Sequence, residues 1–243
     1  MGYAFIILFL KNYDAMETIC ISLGGSILIG SEGINSSYIR KFVELISSYK
    51  NTKFVVVTGG GEMARRYISY AKDFTSNQQE LDDIAIAVTR LNAMVLLNAM
   101  KGKVDVNPNI VTTISGMKAA NSQHSVVVSG GLYPGITTDA VAVLYAEGLH
   151  AKKLINVSKV SYIHETSDIE KSKPLKRLSY DKLIEIATRY DSRNAGSNFI
   201  FDLVGCALAK RSGIEIYFTN DDISELKKVI EGKEHNGSIV GGA

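Results

Sequence analysis

The feature that most constrains this chain is residues 54–67, FVVVTGGGEMARRY. Val55, Val56 and Val57 lead through Thr58 into three glycines, Gly59, Gly60 and Gly61. A helical pattern carrying Arg65 and Arg66 follows. An apolar run bounded by glycine predicts a strand buried on both faces. Glycines let a backbone approach a ligand without interference from Cβ. A helix that begins there points unpaired N–H groups and the positive end of its dipole at the turn. Arg65 lies one helical turn further on and can reach the same spot. The stretch predicts a cradle for an anion, most simply a phosphate.

The rest of the chain repeats the pattern. Strands are predicted at 18–23, 54–58, 125–129, 153–157 and 214–218. Helices are predicted at 36–50, 62–74, 82–100, 138–150, 179–190, 199–212 and 221–231. Residues 104–114 read as a strand interrupted by Asn107-Pro108-Asn109, and 162–176 as a polar excursion. Such alternation predicts an α/β fold, a parallel sheet doubly wound with helices on both faces. Ligands bind such sheets beyond the carboxyl ends of the strands. Two further predicted strands end in glycine pairs, Gly24-Gly25 before Ser26 and Gly130-Gly131. Three glycine turns on one edge suggest a site for several phosphates, as phosphoryl transfer requires.

No repeat or linker divides residues 16–243, so they are expected to form one domain. Residues 3–10 are apolar but too few to span a bilayer. They also lack the basic flank and cleavage site of a signal peptide. Residues 1–15 therefore read as an extension outside the core. A net charge of +2 over 243 residues leaves no general footprint for nucleic acid. Cys20 and Cys206 fit no metal or redox spacing and read as buried thiols in a reducing cytoplasm. The four histidines form no H-x-x-x-H pair, so no resident metal site is expected.

Other readings of the same residues are possible. Gly59 to Ala64 formally matches G-x-G-x-x-A, and Asp82 and Asp83 stand about where a dinucleotide site has its ribose acid. The residues before them are polar, however, and do not make the required second strand. A P-loop is excluded, because no G-K-[ST] occurs. Arg66 reads as a solvated charge, whereas Arg65 reads as a phosphate ligand. Asp82 either caps a helix or binds a ribose hydroxyl. Thr137, Thr138 and Asp139 follow a Gly/Pro loop (Gly131 to Gly135), which favours a ligand-facing turn over a plain helix cap.

Together these residues resemble the archaeal-type uridylate (UMP) kinases of the amino-acid kinase family. The similarity rests on Gly24-Gly25-Ser26, the run Val57 to Ile68, and Thr89-Arg90-Leu91-Asn92-Ala93-Met94. It continues through the run Gly130 to Ala142, Ala195-Gly196-Ser197, Arg211-Ser212-Gly213-Ile214 and Asn236-Gly237-Ser238-Ile239. The resemblance implies a three-layer α/β/α sandwich around a mainly parallel sheet. It implies transfer of the ATP γ-phosphoryl to UMP with Mg²⁺, in a cytoplasmic homohexamer built as a trimer of dimers. The acceptor-binding half would be about 16–150 and the nucleotide-binding half about 151–243.

By position, Gly59, Gly60 and Arg65 would hold the UMP phosphate, Asp82 the ribose, and Thr137 and Thr138 the uracil side. Gly24, Gly25 and Ser26 would face the transferring phosphoryl, and Asp139 would organise the catalytic cations. Gly61, Asn156 and Tyr162 would meet ATP, and helix 82–100 would lie in the dimer contact. The chain departs from the family pattern on the donor side. Ser158-Lys159 stands where Asp-Gly is usual, Ala207 where a lysine is usual, and Ser22 where many relatives carry lysine or aspartate. Lys159 and Lys210 are the candidate replacement cations. The departures leave two alternatives: a non-catalytic nucleotide- or anion-binding paralogue, or a family kinase with another acceptor.

Overall fold

The structure is a computed structural model that describes residues 16–166, 172–190 and 200–241. Residues 1–15, expected to be an extension, lie outside the described residues, as do Ala195, Gly196 and Ser197. The first half runs β1 (Glu17–Leu23), α1 (Gly25–Leu28), β2 (Ile29–Gly30), β3 (Gly33–Ile34), α2 (Ser36–Ser48), β4 (Thr52–Thr58) and α3 (Gly61–Ala71). It continues through α4 (Gln78–Met100), α5 (Ile114–Gln123), β5 (Val126–Ser129) and α6 (Thr138–Gly148). The second half runs β6 (Lys153–Val157), β7 (Ile163–His164), β8 (Pro174–Leu175), β9 (Arg177–Leu178) and α7 (Tyr180–Tyr190). It ends with α8 (Leu203–Ser212), β10 (Glu215–Thr219), α9 (Ile223–Ile230) and β11 (Ile239–Val240).

Seven strands form one sheet in the order β5-β4-β1-β6-β10-β11-β9. The five strands from β5 to β10 are parallel, and β11 pairs antiparallel with β10. The alternation of strand side chains builds two cores. Ile19, Ile21, Leu23, Phe54 and Val56 face α2, α4 and α9, while Cys20, Val55, Val57 and Val127 face α5, α6, α7 and α8. This is a three-layer α/β/α sandwich. Strands from the first half of the chain occupy one side of the sheet and strands from the second half the other, with β1 and β6 meeting in the middle.

Several elements differ from expectation. Helix α4 begins at Gln78, four residues earlier than expected, because Asn77 caps it by accepting from the Gln79 N–H. The polar residues before Asp82 are therefore its first turn, not a loop. Asp82 lies inside the helix and cannot be its cap. Helix α4 buries Leu81, Ala93, Leu96 and Met100 in the core and leaves Leu91 and Met94 exposed. Helix α8 begins at Leu203, where Asp202 caps it. Helix α5, which apolar periodicity does not reveal, is started by Thr113, whose hydroxyl accepts from Gly116 N–H. Residues 104–114 make two isolated parallel bridges to β5 instead of a strand.

The turn after β1 and the turn after β4 touch backbone to backbone. A Cβ on Gly25 would lie 2.4 Å from both Gly59 O and Gly61 N. Gly61 itself has φ +62°, and a Cβ there would lie 2.5 Å from Gly25 C. Neither position can accept a side chain without separating the two turns. Gly25→Ala is therefore expected to cost about 1–3 kcal/mol or more, the usual range for forced overpacking. Gly30→Ala, whose Cβ would meet nothing closer than Ser26 O at 3.8 Å, is expected to be near neutral. Urea unfolding of the two variants checks this, and equal effects would refute the packed-turn reading.

Candidate functional site

The carboxyl ends of β1, β4, β5 and β6 form one edge, and the glycine turns lie along it. Three of the turn N–H groups at this edge are already used. Gly59 N–H donates to Leu23 O at 2.8 Å, Gly24 N–H to Val157 O at 2.9 Å, and Gly131 N–H to Thr89 Oγ1 at 2.7 Å. The three turns are therefore not equivalent anion sites. No acceptor among the described residues takes the N–H groups of Gly60 and Gly61.

Helix capping singles out the same place. Side-chain oxygens of Asn35, Asn77, Thr113, Thr137, Ser179, Asp202 and Asp222 accept first-turn N–H groups of α2, α4, α5, α6, α7, α8 and α9. Helix α3, preceded by Gly60, has no side-chain cap. Among the described helices of eight residues or more, it alone leaves its N-terminal donors without one. Unpaired donors and a positive dipole end suit an anion. Arg65, one turn into α3, is exposed and has no hydrogen bond or ion pair among the described residues. Arg66 instead pairs with Glu62 at 2.9 Å on the helix surface, as its solvated reading anticipates.

Helix α6 brings a second group of residues to the edge. Thr137 caps it, with Oγ1 accepting from Asp139 N–H at 3.2 Å. Thr138 Oγ1 lies 3.6 Å from the position a Gly59 Cβ would take, next to the β4 turn. Asp139 sits over the middle of the sheet, where Ser22 and Asn156 are partners in the β1–β6 register. Its Oδ1 accepts from Ser22 Oγ at 2.6 Å and from Asn156 Nδ2 at 2.7 Å. Asn156, expected to contact nucleotide, thus commits its amide to Asp139. The Asp139 Oδ2 has no protein partner among the described residues. The side chain keeps some open surface, but protein encloses the carboxyl group, and this burial pushes its pKa up to about 6. The nearby Asp202 carboxylate adds to the rise, while the bonds from Ser22 and Asn156 oppose it.

Asp202 is a residue of this edge that the sequence reading does not single out. It is buried, and Oδ1 accepts from Val204 N–H at 2.8 Å while Oδ2 accepts from Thr137 N–H at 2.8 Å. It fastens the start of α8 to the start of α6. Its sequence signal is an aspartate just ahead of a helical pattern, the N-cap signature. Asp82 Oδ2 accepts from Gly135 N–H at 2.8 Å, so α4 steadies the Gly/Pro loop and leaves Oδ1 for a hydroxyl.

Of the two replacement cations, Lys210 lies on the last turn of α8, paired with Asp181 and at the opposite end of that helix from Asp202. The fold does not bring it to the edge. Lys159 is exposed and follows Ser158 directly after β6. The Ser158 Oγ bonds to Val160 O and N there and sets a tight turn. Tyr162 is half-buried beyond that turn. Ser26 follows Gly25 with its hydroxyl free of protein partners among the described residues.

A family model described as the amino acid kinase family matches residues 17–220. The chain is 37% identical over 220 residues to a protein of Thermoplasma volcanium named uridylate kinase, covering 89% of this chain and 94% of that one. It is 36% identical over 227 residues to the uridylate kinase of Thermococcus kodakarensis, covering 91% and 98%. The crystal structure of uridylate kinase from Archaeoglobus fulgidus superposes with a TM-score of 0.79 at 31% identity, over 92% of this chain and 99% of that one. The UMP kinase structure from Bacillus anthracis shares the fold, with a TM-score of 0.76 at 18% identity.

The Asp139 environment gives a pH prediction. Its folded pKa is above the unfolded value, so between about pH 4 and 6 the folded state holds a proton the unfolded state has released. Stability from this group therefore falls as pH rises through that window. Asp139→Asn keeps both hydrogen bonds and removes the slope. At pH 8 the variant is expected to be more stable by at most about 3 kcal/mol, at about 1.4 kcal/mol per pKa unit. Below pH 4 the two proteins converge. Parallel stability curves from pH 4 to 8 would contradict the assignment.

Proposed function

The chain belongs to the amino acid kinase family, and on that premise we propose that it is a UMP kinase, transferring the γ-phosphoryl of ATP to UMP to give UDP and ADP. The observation that carries this is the uncapped N-terminus of α3 at the β4 glycine turn, with Arg65, unpaired among the described residues, one turn further on. The curated relatives of similar length that are named uridylate kinase support the choice of acceptor.

In this reading Gly59, Gly60, Arg65 and the α3 amides hold the UMP phosphate. Asp82 holds the ribose, and the Thr137–Thr138 turn faces the uracil side. Gly24, Gly25 and Ser26 face the moving phosphoryl. An oxygen of the UMP phosphate forms the new bond to the γ-phosphorus as the bridging bond to ADP breaks, and ADP leaves with the electron pair. The protein's share is positioning and charge stabilisation. Gly61, Asn156, Tyr162 and Lys159 lie on the ATP side, with Lys159 the cation in place of the lysine replaced by Ala207.

No cluster of three metal-ligating side chains occurs among the described residues. Mg²⁺ carried by ATP needs only one or two protein carboxylates, because phosphates and waters supply the rest. The free Oδ2 of Asp139 fits that need, while Asp202 is taken up by helix N–H groups. Bound with ATP, Mg²⁺ would neutralise charge on the phosphate oxygens. Residues 16–150 then serve as the acceptor half and 151–243 as the nucleotide half of one cytoplasmic enzyme. A homohexamer built as a trimer of dimers would use the exposed apolar residues Leu91 and Met94 of α4, with Tyr67, Tyr70 and Phe74 on and just after the neighbouring α3.

A coupled ADP-release assay across UMP, CMP, dUMP, isopentenyl phosphate and N-acetylglutamate tests the reading. UMP is expected to be the substrate. Arg65→Ala is expected to raise its KM about 10- to 100-fold, the loss of one charge-assisted contact of about 1.5–3 kcal/mol. No turnover of any nucleoside monophosphate at high enzyme concentration would overturn the kinase reading and leave a binding paralogue.

A further inference from the structure

Three polar residues inside the apolar helix α4 have no place in the reading above. All three bond to the glycine turns. Asn92 is buried, and its Nδ2 donates to Gly59 O at 2.8 Å and Gly60 O at 3.4 Å. Thr89 is buried, accepts from Gly131 N–H, and receives Thr58 Oγ1 on its carbonyl at 2.9 Å. Arg90 donates from Nε to Gly131 O at 3.1 Å and from Nη2 to Leu132 O at 3.5 Å. Contact with the β5 turn is tight, since a Cβ on Gly130 would lie 2.7 Å from Thr89 Oγ1.

The peptide plane turns these bonds into aim. Each carbonyl shares a rigid trans plane with the N–H of the next residue, which points the opposite way. Holding Gly59 O against Asn92 therefore points the Gly60 N–H away from α4, and holding Gly60 O does the same for Gly61 N–H. Neither N–H group has a protein acceptor among the described residues. Arg90 likewise fixes the Leu132 N–H by holding Gly131 O.

We infer that Asn92, Thr89 and Arg90 are positioning residues that make α4 the template for the acceptor-phosphate turn. Asn92 orients the Gly60 and Gly61 amides, and Thr89 with Arg90 sets the neighbouring β5 turn. The substrate part of this inference rests on the UMP reading, but the orienting role does not. A buried polar side chain left over after folding would serve stability alone. One that holds two carbonyls behind two free donors also sets ligand affinity.

The test uses the full-length protein and two readouts. Calorimetry on wild type and Asn92→Leu is expected to show UMP Kd rising about 10- to 100-fold with ATP Kd within about twofold, the scale of loss when a supporting contact is removed. Amide NMR of the free protein is expected to show the Gly60 and Gly61 N–H signals displaced in Asn92→Leu, with β10 amides unchanged. If Asn92→Leu does not fold, Asn92→Ser carries the same comparison; Arg90→Gln, which loosens the β5 turn, is expected to weaken UMP binding, and Arg90→Lys to restore part of it. Equal losses for UMP and ATP, or undisplaced Gly60 and Gly61 signals, would overturn the template. Displaced signals at these glycines in a protein whose wild type binds no UMP would keep the template and overturn the acceptor assignment.

Discussion

The structure depends on one contact, the backbone-to-backbone packing of the β1 turn on the β4 turn. Gly25 and Gly61 bring two main chains closer than any Cβ allows. That closeness fixes where α1 and α3 begin, and so sets the uncapped donors of α3 beside Gly24, Gly25 and Ser26. An anion held by α3 is thereby placed next to whatever the β1 turn holds. Two phosphorylated ligands brought end to end are what phosphoryl transfer needs. The fold provides that proximity through main-chain geometry more than through charged side chains.

The rest of the edge secures this contact from both faces of the sheet. From the α4 side, Asn92 holds the β4 turn and Arg90 with Thr89 the β5 turn. From the α6 side, Asp139 is tied to the two central strands by Ser22 and Asn156, and Asp202 ties α6 to α8. Asp139 is thus held between the halves of the sheet, where β1 and β6 meet. Its carboxylate is poorly solvated and has a free oxygen, so a cation at that position would be favoured by the same burial that raises its pKa.

Much of this was legible in the sequence. The valine run into Gly59–Gly61 is a buried strand ending in a glycine turn with N–H groups unpaired among the described residues, and the strand–helix alternation points to the parallel sandwich. Arg65 was separable from Arg66 by its place one turn past the glycines. What stayed hidden depends on pairings across the fold. The equivalence read into three glycine turns failed because Leu23, Val157 and Thr89 consume some of their donors. Polar residues 75–80 read as loop, although 78–80 open α4, because a capped helix start and a loop share a composition. Lys210 is nearest in sequence to the replaced lysine, but helix periodicity puts it on the far turn beside Asp181. Thr89, Arg90 and Asn92 did carry a signal, polar residues in an apolar helix, but only the register between α4 and the turns shows what they hold.

The central claim is that an acceptor phosphate at α3 receives a phosphoryl group from ATP across the β1 turn. Phosphorus NMR of the protein with ATP, Mg²⁺ and UMP tests it most directly, because it distinguishes transfer from hydrolysis. The account predicts that the γ-phosphate signal of ATP and the UMP signal fall together as the two signals of UDP appear, with little inorganic phosphate. Conversion of ATP to ADP and inorganic phosphate with UMP untouched, or no change at all, would contradict it.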